Sequence, residues 1–99
     1  MNISRCDKTN QVVFELTDRL DTMNSIVLQN SIITEYENGS HVVLDLKQLA
    51  YISSMGLRAM LQGEKVARAK ELKQTLVNVS DNVMEVLRIT GLSKIFTVL

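Results

Sequence analysis

The chain has no proline and no tryptophan, a single cysteine, and only 4% aromatic residues. Each scarcity excludes something. Without a second cysteine no intramolecular disulfide can form, which fits a reducing compartment. Cys6 and His41 are the sole members of their types, so a catalytic metal centre lacks its usual convergent ligands. Few aromatics leave no base-stacking platform of the kind that single-strand nucleic-acid binders use. An excess of one charge is missing too: 11 acidic and 11 basic residues balance. No global field therefore draws the chain to nucleic acid or to an anionic membrane. No apolar run approaches the roughly 20 residues that span a bilayer, and no basic stretch followed by an apolar run marks a secretory signal. There is no phosphate loop, no Gly-x-Gly-x-x-Gly run and no nucleophile elbow. One histidine would suffice for a Ser–His–Asp arrangement, yet nothing else supports one. The composition points to a single cytoplasmic domain without cofactor or metal, inserted in no membrane, and gives an enzyme little support.

What is present is a chain of 99 residues that is 45% apolar, enough for one domain spanning residues 1–99 with a modest core. No linker or repeat divides it. Met1–Arg5 carries a weak strand signal and Lys8-Thr9-Asn10 a turn. Gln11–Leu16 reads as a strand by its β-branched and aromatic content. Asp21-Thr22 offers a helix start, and Met23, Ile26, Val27, Ile33 and Tyr36 form a wide apolar arc to about Glu37. Asn38-Gly39 stops that helix. In His41–Leu46 three consecutive apolar residues predict a strand buried on both faces.

Ser53 or Ser54 can cap the next helix, expected over Met55–Lys70. Gly56, Ala59, Met60, Gly63, Val66 and Ala67 lie along one face of it, and their small size predicts close packing. The two glycines weaken this helix by up to about 1 kcal/mol each, which packing must offset. Thr75–Val79 reads as a strand, Ser80 or Asp81 as a cap, Gly91 as a stop, and Lys94–Leu99 as a last strand. The order β-β-α-β-α-β-α-β predicts an α/β layer structure on a largely parallel sheet.

The informative stretch runs from Asp45 to Leu61. A strand and short loop deliver two serines to a helix start, where free backbone N–H groups favour negative charge. By themselves these serines read as ordinary caps. The stretch resembles the STAS family of anti-sigma factor antagonists through Leu44-Asp45-Leu46 and Tyr51-Ile52-Ser53-Ser54-Met55-Gly56-Leu57. Leu16-Thr17-Asp18-Arg19-Leu20-Asp21 is similar to a second motif of the family. Val79-Ser80, Val83, Leu87, Thr90-Gly91-Leu92 and Ile95-Phe96 resemble its closing helix and strand. Three modest motifs in order, with fitting separations, are specific together.

The resemblance implies a STAS-like mixed, largely parallel sheet of four to five strands with about three to four helices. It implies an anti-sigma factor antagonist, not an enzyme, that sequesters an anti-sigma factor serine kinase and so frees a sigma factor. In the family the first serine after the loop aspartate is phosphorylated by that kinase, and a serine phosphatase reverses it. The matching residue is Ser54, with Ser53 as second choice. Asp21, Thr22, Ser53, Ser54, Met55, Gly56 and Arg58 form the expected partner-binding set, with Arg58 placed in the first turn of its helix and read foremost as a solvated residue. A non-switched STAS scaffold of a sensory or transport complex is the alternative, and a homodimer stays open. Ser53 stands where the family has aspartate, Met55 where it has Ser or Thr, Asp18 where glycine is common and Asp81 where proline is common.

Overall fold

The computed structural model describes residues 1–99. Five strands form one sheet in the order of the chain: β1 (Asn2–Cys6), β2 (Gln11–Leu20), β3 (His41–Ile52), β4 (Gln74–Val77) and β5 (Thr97–Val98). β1 pairs antiparallel with β2, and every later pair is parallel. The crossovers carry α1 (Thr22–Glu37), α2 (Ser54–Ala69) and α3 (Asp81–Thr90), and a short 3-10 turn (Leu92–Lys94) precedes β5. This is the mixed, mostly parallel α/β sheet expected. Right-handed crossovers between successive neighbours put all three helices on one side of the sheet.

That one-sided cover sets the burial pattern. Along β2, Val12, Phe14 and Leu16 are buried, as are Val42, Leu44 and Leu46 along β3 and Leu76 on β4. The alternate residues Val13, Val43 and Thr75 are only half-buried. The expectation that Val42-Val43-Leu44 is covered on both faces is therefore corrected. Successive side chains alternate, and only one face has helices upon it.

The helix ends follow local chemistry. Asp21, Ser53 and Ser80 each accept a backbone N–H at the start of α1, α2 and α3. Gly39 and Gly91 adopt φ of +84° and +79° just beyond α1 and α3, where a side chain would be strained. The face of α1 differs from expectation. Ser25, Leu28, Ile32, Glu35 and Tyr36 are buried, while Met23, Ile26 and Val27 are exposed. On α2 the small-residue face is as predicted, with Gly56, Ala59, Met60, Gly63 and Ala67 buried. His41 is structural: its Nδ1 accepts the Lys73 N–H at 3.1 Å.

β2 and β3 are longer than the sequence signals suggested. β1 pairs with β2 only as far as Glu15, and β4 with β3 only as far as Asp45. Thr17–Leu20 and Gln48–Ile52 run on together as a two-stranded parallel ribbon, with register shifts after Glu15 and after Asp18. Asp18 has φ +57°, which the short polar side chain tolerates. The ribbon points to the end of the sheet where α1 and α2 begin. No helix is long and apolar enough to cross a membrane.

Candidate functional site

At the tip of this ribbon the two helix starts come together. Leu20 is paired with Ile52, and the Ser53 N–H donates to the Leu20 carbonyl at 2.9 Å. Asp21 and Ser53, the residues that follow that pair, are thereby held about one strand spacing apart, roughly 5 Å. Both are N-caps, of α1 and α2 respectively.

Asp21 closes a capping box. Its carboxylate accepts the Asn24 N–H at 3.0 Å, and the Asn24 side-chain oxygen accepts the Asp21 N–H at 2.7 Å. Asn24 also donates to the Arg19 carbonyl at 2.7 Å, so the ribbon end and the first turn of α1 are one hydrogen-bonded unit. The hydroxyl of the buried Ser25 donates to the Asp21 carbonyl. Thr22, the first residue of α1, is exposed.

The two serines of α2 have different positions. Ser53 is half-buried and its Oγ accepts the Gly56 N–H at 3.1 Å, while its carbonyl accepts the Leu57 N–H at 3.0 Å. Ser54 is the first helical residue, exposed, and its hydroxyl makes no hydrogen bond within the chain. Ser53 is thus committed to the cap and Ser54 is available. Met55 is half-buried, Gly56 is buried against the ribbon, and Arg58 is exposed. Arg58 lies one turn beyond Ser54, not in the first turn as expected, because α2 begins at Ser54. The site residues named from the sequence therefore gather at one end of the sheet.

Three features here were not singled out from the sequence. The Arg19 guanidinium lies 4.6 Å from the centre of the Tyr51 ring on the ribbon, a cation–π contact. Met23 and Ile26 leave an apolar surface beside Asp21, at 77% and 51% exposure. A cleft of about 450 Å³ opens between the ribbon and α1, lined by Leu16, Leu20, Leu49, Val27, Asp18 and Asp21 among others. The cation–π contact and the cleft depend on the pairing of β2 with β3 and have no local signature, while the sequence pattern places Met23 and Ile26 in the buried arc of α1. The arrangement offers no nucleophile–base pair and suits contact with a macromolecule: apolar area, aromatic and arginine anchors, and a free hydroxyl.

A family described as "STAS domain" matches residues 3–99. BtrV of Bordetella bronchiseptica, named as a candidate anti-sigma factor antagonist, is 35% identical over 80 residues, which is 80% of this chain and 69% of that protein. Among solved structures, a candidate anti-sigma factor antagonist from Thermotoga maritima superposes with a TM-score of 0.87 at 20% identity, over 98% of this chain and 83% of that one. The anti-sigma factor antagonist SpoIIAA gives 0.80 in its unphosphorylated form, at 17% identity over 99% of this chain and 86% of that one. Its phosphorylated form, from Bacillus, gives 0.77 at 19% identity, over 99% and 91%.

Proposed function

The chain belongs to the STAS domain family, among its anti-sigma factor antagonists, and from that premise we propose that it is a binding switch set by phosphorylation of Ser54. In the unphosphorylated form it binds an anti-sigma factor serine kinase and so frees a sigma factor. A serine phosphatase restores that form. The compartment is the cytoplasm, where ATP and sigma factors meet. The observation that carries this reading is the division of labour between the two serines: the Ser53 hydroxyl is occupied by the Gly56 N–H, and the exposed Ser54 hydroxyl is free.

The chemistry is phosphoryl transfer from ATP held by the kinase. Ser54 Oγ attacks the γ-phosphorus, the Oγ–P bond forms as the bond to the β-phosphate bridging oxygen breaks, and ADP leaves. The hydroxyl proton passes to a base that the kinase supplies. The product carries about −1.5 to −2 of new charge on a chain whose formal net charge is zero. Asp21, held beside Ser53, adds to the repulsion that a docked partner would meet. The start of α2 tolerates the phosphate, since its first N–H groups have no helical acceptor. Docking is thus turned off by surface charge, without refolding. Asp21, Thr22, Met55, Gly56 and Arg58 belong to the same docking surface.

The test is incubation with ATP and an anti-sigma factor serine kinase of the same organism, followed by mapping of the phosphate by mass spectrometry. Modification at Ser54, abolished in Ser54→Ala, is the expected result, with partner binding weakened at least tenfold by Ser54→Asp. Ser53 in place of the family's aspartate favours a second reading, a non-switched scaffold subunit. That reading expects no phosphate on Ser54 and equal binding by Ser54→Asp.

A further inference from the structure

The chain has five arginines, and four are engaged. Arg5 pairs with Glu35, Arg68 with Glu64 and Arg88 with Glu85, while Arg19 lies on the Tyr51 ring. Arg58 is exposed and alone has neither a carboxylate nor an aromatic partner. The residues three and four places from it on α2 are Ser54, Met55, Leu61 and Gln62, none of them charged. A cation without a partner therefore stands four residues after a hydroxyl without a partner, on the same helix face and one turn away.

We propose that Arg58 is the positioning residue for a phosphate on Ser54, drawing it along α2 as an internal ion pair. The proposal rests on the phosphorylation of Ser54 put forward above and adds how the modified site is organised. A guanidinium offers a planar fork that matches two phosphate oxygens at once. The pair neutralises one unit of the roughly −1.5 to −2 added. The surface around Ser54 changes from one free cation to a small net negative charge. Phosphorylation thus removes an attractive group as well as adding a repulsive one.

The test installs phosphoserine at position 54 of the full chain through an expanded genetic code and follows its second ionisation by phosphorus NMR. A paired cation favours the doubly charged phosphate, so removing it raises that ionisation. Arg58→Gln is expected to raise it by roughly 0.2–0.4 pH units, with partial return in Arg58→Lys and no change in Arg88→Gln. The other charged groups at this end, Asp18, Arg19 and Asp21, are common to all variants. Superimposed curves for the parent and Arg58→Gln would overturn the pairing, as would an equal shift in Arg88→Gln. No kinase takes part in this measurement. A kinase that leaves Ser54 unmodified counts against the switch, whereas an unmoved titration counts against the role of Arg58 alone.

Discussion

Gly56 lies against Leu20 so closely that a methyl group on its Cα would stand 2.9 Å from Leu20 Cγ and Cδ2. The same methyl would be 2.9 Å from Ile52 Cγ1. Both neighbours are buried, and the Leu20 carbonyl is the acceptor that holds the Ser53 N–H. Gly56→Ala gains up to about 1 kcal/mol of helix propensity, but crowding a packed site costs about 1–3 kcal/mol. The expected net loss is about 0–2 kcal/mol by urea unfolding. Phosphorylation of Ser54 should slow in parallel, because the displaced Leu20 carries Ser53 with it. A raised unfolding midpoint would show that the contact is slack.

Tyr36 supplies a pH-dependent test of the core. Its hydroxyl donates to Gln74 Oε1 at 3.1 Å, and Gln74 Nε2 donates to the Met60 carbonyl at 2.8 Å. Burial, reinforced by the charge of Glu64, pushes the Tyr36 phenol far above its ordinary range. In the unfolded chain that phenol ionises near pH 10. Above about pH 10 the unfolded state therefore binds fewer protons than the folded one, and stability falls as pH rises. Tyr36→Phe should cost about 1–2 kcal/mol at pH 7, because Gln74 Oε1 loses its donor. It should also lose less stability than the parent between pH 10 and 11, measured by urea unfolding at each pH. Parallel pH profiles would contradict the assignment.

A third prediction concerns the face of α1. Leu28 is fully buried and Ile26 is 51% exposed. Leu28→Ala should cost about 2–5 kcal/mol. Ile26→Lys should stay within about 0.5 kcal/mol, both by urea unfolding. The sequence pattern had pointed the other way for Ile26. Met23, Ile26, Val27, Leu28, Ile32 and Ile33 surround this helix with apolar residues, so periodicity selects no single face.

Helix starts and stops were legible because Asp21, Ser53, Ser80, Gly39 and Gly91 act on backbone within a few residues. The ribbon was not. Lys47 and Gln48 break the alternation of β3, and Asp18 breaks that of β2. The pairing that keeps these residues extended joins segments some thirty positions apart. The neighbourhood of Asp21 and Ser53 depends on that pairing, so only resemblance to the family announced it. Arg58 falls one residue later in its helix than expected for a smaller reason, since the helix was expected to begin at Met55 and begins at Ser54.

Ser53 and Ser54 can be separated by experiment because only one of them is a cap. Ser53→Ala removes the acceptor of the Gly56 N–H and should cost about 0.5–2 kcal/mol in urea unfolding. Ser53→Asp keeps an acceptor and adds an anion at the start of α2, so stability should hold or rise by about 0.3–1 kcal/mol at low salt. Neither change touches the Ser54 hydroxyl. Both variants should therefore still take a single phosphate from the kinase, at Ser54, as read by intact mass and peptide mapping. Ser54→Ala leaves the Ser53 cap in place, so it should unfold within about 0.5 kcal/mol of the parent while taking no phosphate. If Ser53→Ala instead lost the phosphate, the occupied hydroxyl would be the acceptor, and the cap would have to open before the kinase could reach it.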